Sequence, residues 1–300
     1  MKIITYNIQF SRGRDGRHDI ARIADAIKSG DIVGLQEVER LWDRTDNVDQ
    51  PSELARLLPD YFVAYGATID VLKTDRLIEG RVDNRRRQFG NMILSKYPIL
   101  TRRNHLFPKF GALTQHTLQR GALEATIETP DGVIRVYSTH LCHLSAEQRG
   151  IQIKRLLDIH RSAPVEGSVD SGTNLRDGWD ERALPAPQRD AIVLGDFNLS
   201  STEAEYDLIV GPRSARPLRK AERLNGYDTF IDAWVAAGNG EGEGVTLYED
   251  ITAGTGMRID YCFLTPSLAS RVQRAAIDTD ADGSDHQPFH VELAPRVQAR

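Results

Sequence analysis

The 300-residue chain has only two cysteines, Cys142 and Cys262. Both stand inside apolar, strand-like segments, which excludes a disulfide framework and predicts buried thiols. No apolar run approaches the ~20 residues that span a bilayer. A helical membrane protein is thereby excluded, and a soluble chain is expected. The opening residues lack the charged start, apolar core and small-residue cleavage site of a signal peptide, so a cytoplasmic location is expected. Basic residues are not in excess: 38 Lys and Arg stand against 43 Asp and Glu, a net charge of −5. Proteins that coat nucleic acid draw affinity from a basic surface, so that class is disfavoured. A nuclease is not excluded, because carboxylates gathered around divalent cations shift the balance toward acid. Neither a Gly-x-Ser-x-Gly elbow nor a phosphate-binding P-loop is present. Serine-based acyl transfer and nucleotide-driven work are therefore disfavoured.

What is present reads as an α/β chain with a large core: 40% of residues are hydrophobic and 27% charged, ordinary for a globular protein. Residues 2–7 are β-rich and end at Asn7. In residues 20–27, Ile20, Ile23, Ala24 and Ile27 repeat at helical spacing behind the N-cap candidate Asp19. Residues 31–38 form a second apolar strand running into Glu37. Strand, helix, strand predicts a right-handed crossover and a parallel pair, with Asn7 and Glu37 at the same sheet end, where such sheets bind ligands. A short helix is expected over 52–58 and a strand over 61–65. Residues 90–95 and 98–100 read as strands around a turn, and 119–127 with 133–141 as a hairpin about Pro130-Asp131-Gly132. The arginine-rich segment 73–88 reads as a solvated face. A helix is expected over 146–160, followed by a Gly/Pro/Ser-rich insertion over 162–188 that reads as a lid or surface excursion. Further helices are expected over 202–210 and 227–237, and the last strand over 290–293.

The polar residues at strand ends carry the chemistry. In Ile192-Val193-Leu194-Gly195-Asp196-Phe197-Asn198, an apolar strand delivers a carboxylate and an amide two residues apart, which face the same way on an extended chain. A turn with side chain to backbone bonds is the plainer reading of that pair alone. Six such places recur, however: Asn7, Glu37, His140, Asp196 with Asn198, Asp260, and Asp285 with His286. Buried carboxylates are costly without a partner or a metal. Their oxygen-rich character suits Mg²⁺ or Mn²⁺; a zinc site at Cys142 and His143 is disfavoured because no second Cys/His cluster accompanies it. The histidines add what phosphoester hydrolysis needs beyond a cation, a group to orient or deprotonate water and donors for charge building on phosphate.

The series Thr5-Tyr6-Asn7, Leu35-Gln36-Glu37, Ser138-Thr139-His140-Leu141, Gly195-Asp196-Phe197-Asn198, Arg258-Ile259-Asp260-Tyr261 and Ser284-Asp285-His286 resembles the endonuclease/exonuclease/phosphatase superfamily over nearly the whole chain. The resemblance implies one domain spanning residues 1–300, built as a four-layer α/β/β/α sandwich of two mixed sheets with helices outside. It also implies metal-dependent attack of water on a phosphoester, with one or two Mg²⁺ or Mn²⁺ ions. Glu37 becomes the principal metal ligand, with Asn7 and Asp285 close by. Asp196 and Asn198 orient the attacking water or hold a second cation. His286, paired with Asp260, serves as general base, transition-state donor or further ligand, and His140 binds a phosphoryl oxygen. Asn91 and Arg120 are candidates for positioning substrate. The Thr139-His140-Leu141 form departs from the family's abasic-site endonucleases. Together with Val48-Asp49-Gln50 and residues 90–96, it is more similar to bacterial phosphodiesterases near the sphingomyelinase branch. A small organic or lipid-headgroup phosphodiester is the expected substrate. DNA or RNA is the alternative, with a phosphomonoesterase or an inactive binding module behind it.

Overall fold

The first strand, helix and strand set the plan. In the computed structural model, β1 (Lys2–Asn7), α1 (Ile20–Ile27) and β2 (Ile32–Arg40) make the expected crossover, and β1 pairs with β2 in parallel, Asn7 opposite Gln36. Asp19 caps α1 by accepting from the Ala21 amide at 2.9 Å, which satisfies one of the free donors at a helix start. The chain continues through α2 (Gln50–Leu57), β3 (Phe62–Leu72), β4 (Arg86–Ser95), β5 (Ile99–Leu106), β6 (Gly121–Thr129) and β7 (Gly132–His140). Then come α3 (Ala146–Glu166), β8 (Ala191–Asp196), α4 (Ala204–Val210), β9 (Ile231–Asp232) and α5 (Ala233–Ala236). The last elements are β10 (Asp260–Leu264), α6 (Pro266–Ala269), β11 (Val272–Ile277) and β12 (Phe289–Leu293). The structure describes all residues except 174–177, 179–183, 186–187, 215–222, 227, 251 and 297–300.

Two six-stranded mixed sheets result, one ordered β11-β12-β1-β2-β4-β3 and the other β9-β10-β8-β7-β6-β5. Their strands read as near-continuous apolar runs because both faces are covered. Alternation along each strand then sorts the side chains. Ile3, Ile32, Ile192 and Leu194 fill the layer between the sheets. Their neighbours Ile4 and Val33 face Ile23, Ala24 and Ile27 of α1, while Val193 joins Ile153 and Leu156 of α3 on the far side. Helix, sheet, sheet, helix is thus the expected four-layer sandwich. Gly34 sits at a close approach of the two sheets: a Cβ there would come within 2.8 Å of the Leu194 Cβ. Gly195 has a similar role beside β7, since its Cβ would meet the Thr139 carbonyl at 2.1 Å.

The strands expected around a turn near residue 97 are present, β4 in the first sheet and β5 in the second, while two other expectations are corrected. The segment 98–100 lengthens into an edge strand that pairs with β6. The expected helix over 227–237 is a two-residue strand followed by the one-turn α5, because Asp232 caps a helix start at Trp234; Tyr227 lies outside the described residues. Helix α3 runs to Glu166, through Pro164. Proline lacks an N–H to bond the carbonyl four residues back, and that carbonyl, of His160, instead accepts from Arg135 Nη1 and Nη2, each at 3.3 Å. The insertion therefore begins after the helix, and much of it, Trp179 included, lies outside the described residues. Cys142 and Cys262 are free, buried thiols. No helix among the described residues is long and apolar enough to cross a membrane.

Candidate active site

The strand ends converge because sheet register places them side by side. Asp196, the last residue of β8, lies opposite His140 on β7 and Asp260 on β10. Asn7 ends β1 in the facing sheet, and its amide crosses the gap to donate to Asp196 Oδ2 at 2.9 Å. Asn7 Oδ1 accepts from the Gln9 amide at 3.0 Å, which aims the side chain inward. Asp196 Oδ1 is held by the Asn198 backbone amide at 2.9 Å. Burial and the Asp260 charge raise the Asp196 pKa against the opposing pull of His286 and the hydrogen bonds from Asn7 and Asn198.

His286 is held at Nδ1 by Asp260 Oδ2 at 2.8 Å, leaving Nε2 3.8 Å from Asp196 Oδ2. Burial works against its charge, but Asp260, Asp196 and Asp285 outweigh it and lift the pKa to about 10. His286 is therefore an imidazolium with its remaining N–H turned into the site. His140 is the opposite case. Burial, Arg120 and His286 hold its pKa well below the ordinary value, so the ring is neutral. Asn198 has φ +50°, a conformation Asn tolerates better than most residues. Its amide donates to the Leu141 carbonyl at 3.1 Å and meets His140 Nε2 at 3.0 Å. In the tautomer where Nε2 accepts, both amide protons are used and the ring proton is on Nδ1, with Nε2 also 3.2 Å from Asp196 Oδ2. Nδ1 is buried with no hydrogen-bond partner among the described residues, 3.9 Å from Glu37 Oε1.

Glu37 reaches the site through a break in strand regularity. The β2–β4 pairing slips between Leu35 and Val38, and Glu37 takes φ +61°. Such a bulge re-aims a side chain, and a left-handed non-glycine residue costs roughly 1–3 kcal/mol. Its carboxylate is 19% exposed, the opening through which a ligand meets it. Burial raises its pKa, and Arg120 and His286 pull it back down. Arg120, 3% exposed, donates through Nη2 toward His143 Nδ1 at 3.1 Å, while Nη1 is buried with no partner among the described residues. Burial lowers its pKa while Glu37 and Asp196 favour its charge.

Of the residues expected from sequence, Asn7, His140, Asp196, Asn198, Asp260 and His286 are joined in one network, with Glu37 and Arg120 on its border. The ligand atoms of Asp196, Asp260 and His286 lie within 4.8 Å of one another, a spacing fit for a cation; no such group among the described residues includes Glu37 or Asp285. Asp285 is turned toward Gln9 Nε2 at 2.6 Å and Ser284 Oγ at 3.2 Å. Asn91 stands apart from the site's polar network: its amide donates to the Gly121 carbonyl at 3.0 Å and ties the two sheets together. The supporting roles of Gln9 and His143 escape a sequence reading. Gln9 lies in a turn where Gln9, Phe10 and Ser11 all have positive φ, and no glycine marks it.

Comparison with known proteins agrees with this geometry. The family model "Endonuclease/Exonuclease/phosphatase family" matches residues 4–286. No curated protein matches the chain. Among solved structures, a mannosyl-6-phosphatase from Bacteroides thetaiotaomicron is 18% identical with a TM-score of 0.65, covering 98% of this chain and 99% of that one. An endonuclease/exonuclease/phosphatase protein from Beutenbergia cavernae is 21% identical at a TM-score of 0.60, covering 97% of this chain and 70% of its own. A truncated TDP2 from Caenorhabditis elegans is 17% identical at a TM-score of 0.58, over 97% and 95% of the two chains. At these identities the likeness speaks to fold. With the family model matching almost end to end, the chain belongs to the endonuclease/exonuclease/phosphatase family, whose enzymes are phosphoric ester hydrolases.

Proposed function

We propose that this protein is a Mg²⁺- or Mn²⁺-dependent phosphodiesterase that hydrolyses a small organic or lipid-headgroup phosphodiester by direct attack of water. One observation carries the reading: a carboxylate with a raised pKa, an imidazolium clamped by a second carboxylate, and two inward-facing donors meet in a single buried site. Asp196, fixed by Asn7 and Asn198, accepts the proton of the attacking water. The water oxygen bonds to phosphorus as the ester P–O bond breaks, its electron pair leaving on the alcohol oxygen. His286 presents Nε2–H, and Arg120 and His140 present Nη1 and Nδ1–H, to the charge that gathers on the phosphoryl oxygens.

The family's enzymes use a divalent cation, and the donors here fit one. Glu37, Asn7 and Asp196 offer hard oxygen atoms, Asp260 Oδ1 is buried with no partner among the described residues, and a bound cation would offset the burial that disfavours ionised Glu37 and Asp196. When bound, such an ion neutralises phosphoryl charge and acidifies water. We assign His286 to charge stabilisation rather than to the cation, because its Nδ1 is engaged by Asp260 and its Nε2 carries a proton. Asn198 acts by aiming His140, and Asp285 by raising the charge on His286.

Bis-p-nitrophenyl phosphate should be hydrolysed with Mg²⁺ or Mn²⁺, and Asp196→Ala should lower kcat by about 10²–10⁴-fold. Parallel assays on plasmid DNA, single-stranded RNA, glycerophosphodiesters, sphingomyelin and phosphomonoesters rank the substrate classes. Absence of both metal binding and hydrolysis would sink the reading, and a preference for DNA or RNA would replace it with a nuclease.

A further inference from the structure

Beside Glu37 the surface opens into a cavity of about 570 Å³ that the chemistry described above leaves unused. Its walls carry Phe10, Trp42, Ile69, Val71, Phe89 and Leu118, together with Glu37 and Gln119, the residue before Arg120. The cavity thus adjoins the carboxylate of the site and the chain that carries the buried guanidinium. The size and apolar lining are those of a pocket for a small organic group.

The charges in its walls are already engaged. The Arg44 guanidinium stacks 4.1 Å from the Phe10 ring centre and 4.9 Å from that of Trp42, and is hydrogen-bonded to the fully buried Glu39 through Nε at 2.9 Å. Asp70 is held by Arg86 at 2.6 Å and Gln88 at 3.0 Å, and His116 stands exposed at the rim. The aromatic walls are also fixed in place. Phe10 has φ +45°, its carbonyl accepting from Gln50 Nε2 at 2.8 Å, and Trp42 Nε1 donates to the Gln88 carbonyl at 2.8 Å. Backbone held in a disfavoured region is characteristic of ligand clamps.

We infer that this cavity is the subsite for an uncharged aromatic or branched aliphatic substituent of the phosphodiester, stacked against Trp42 and Phe10 while the phosphate lies at Glu37. The inference rests on the phosphodiesterase reading of the adjoining site. A second phosphate or a carboxylate on that substituent would meet walls whose one lining guanidinium, Arg44, is already paired; the Arg87 guanidinium, whose Nε has no partner among the described residues, stands 5.3 Å from the Trp42 ring centre and is not part of the lining. An uncharged ring or branched chain instead buries against apolar and aromatic surface.

The test is binding, measured by titration calorimetry with Mg²⁺ present, of two monoanions that carry no ester bond to hydrolyse: dimethylphosphinate and methyl(phenyl)phosphinate. The phenyl compound should bind about tenfold tighter or more, the scale on which apolar pockets discriminate. Trp42→Ala, which removes a wall, and Leu118→Trp, which fills the space, should each bring the ratio of the two Kd values toward one. A ratio near one in the unaltered chain, or a preference that survives both substitutions, overturns the subsite. Hydrolysis of bis-p-nitrophenyl phosphate without a phenyl preference overturns the subsite alone. A phenyl preference without hydrolysis upholds the pocket and overturns the hydrolase reading.

Discussion

The His286 pKa is lifted by Asp260 and Asp196 on neighbouring strands and, more distantly, by Asp285 beside it in sequence, and Asp260, which touches Nδ1, is the one whose removal isolates the effect. Its folded pKa lies above the ordinary value of 6.5, so its contribution to stability is present in full below 6.5 and is lost as the pH rises toward about 10. Activity that needs the imidazolium is lost over the same alkaline range. Asp260→Asn should move the alkaline limb of the kcat/KM profile to lower pH, as Asp196 and Asp285 alone sustain a smaller shift. An unmoved limb would show that His286 does not act in its charged form. These residues were legible in the sequence because each borders an apolar strand, and register then brings the strand ends together. The bulge that turns Glu37 inward was not, since hydrophobic alternation carries no mark of one extra residue in a pairing. Nor were the clamps on Phe10 and Trp42, which depend on Gln50 and Gln88 from elements distant in sequence.

At the scale of elements, α3 continues through Pro164 with help from outside the helix. The His160 carbonyl that proline leaves unbonded is taken up by the Arg135 guanidinium, which also donates to Tyr137 Oη at 2.8 Å and, through Nε, to the Gln188 carbonyl at 2.9 Å. Arg135→Met should cost about 2–4 kcal/mol in urea unfolding, because buried acceptors lose their donors. Pro164→Ala restores a backbone N–H for that carbonyl, so the same Arg135→Met change should cost less in the Pro164→Ala background. Additive costs in that double-mutant cycle would deny the link. Sequence periodicity ended this helix at residue 160 because the apolar spacing lapses there and a proline follows. The compensating arginine lies 25 residues earlier, on β7. Strands β4 and β5 were legible as strands around a turn, but which sheet receives each is decided by packing across the whole core.

For the molecule as a whole, the site is a seam. Asn7 and Glu37 come from one sheet, His140, Asp196 and Asp260 from the other, and a cation taken up by these residues would favour the folded state that brings them together. Binding to the folded state alone stabilises it by about 2.7 kcal/mol at a ligand concentration a hundredfold above Kd. Mn²⁺ should therefore raise the thermal midpoint of the unaltered chain by several degrees and that of Asp196→Asn by markedly less, as read by differential scanning calorimetry. An equal rise in both would place the cation elsewhere. The four-layer arrangement itself was legible from the motif series, while the cavity at Glu37 was not, because its walls come from strand ends and loops scattered between Phe10 and Gln119.

The contact between Gly34 and Leu194 has a consequence for how this molecule can change over time. The two strands that carry Glu37 and Asp196 touch there with only a hydrogen atom to spare, so the gap between sheets and the span of the reaction centre are one inherited dimension. Lineages can thicken neither strand at that point without pulling the chemistry apart. On the proposed subsite, substrate choice can vary instead at the cavity wall, at Leu118 above all, since Phe10 and Trp42 are held by Gln50, Gln88 and Arg44.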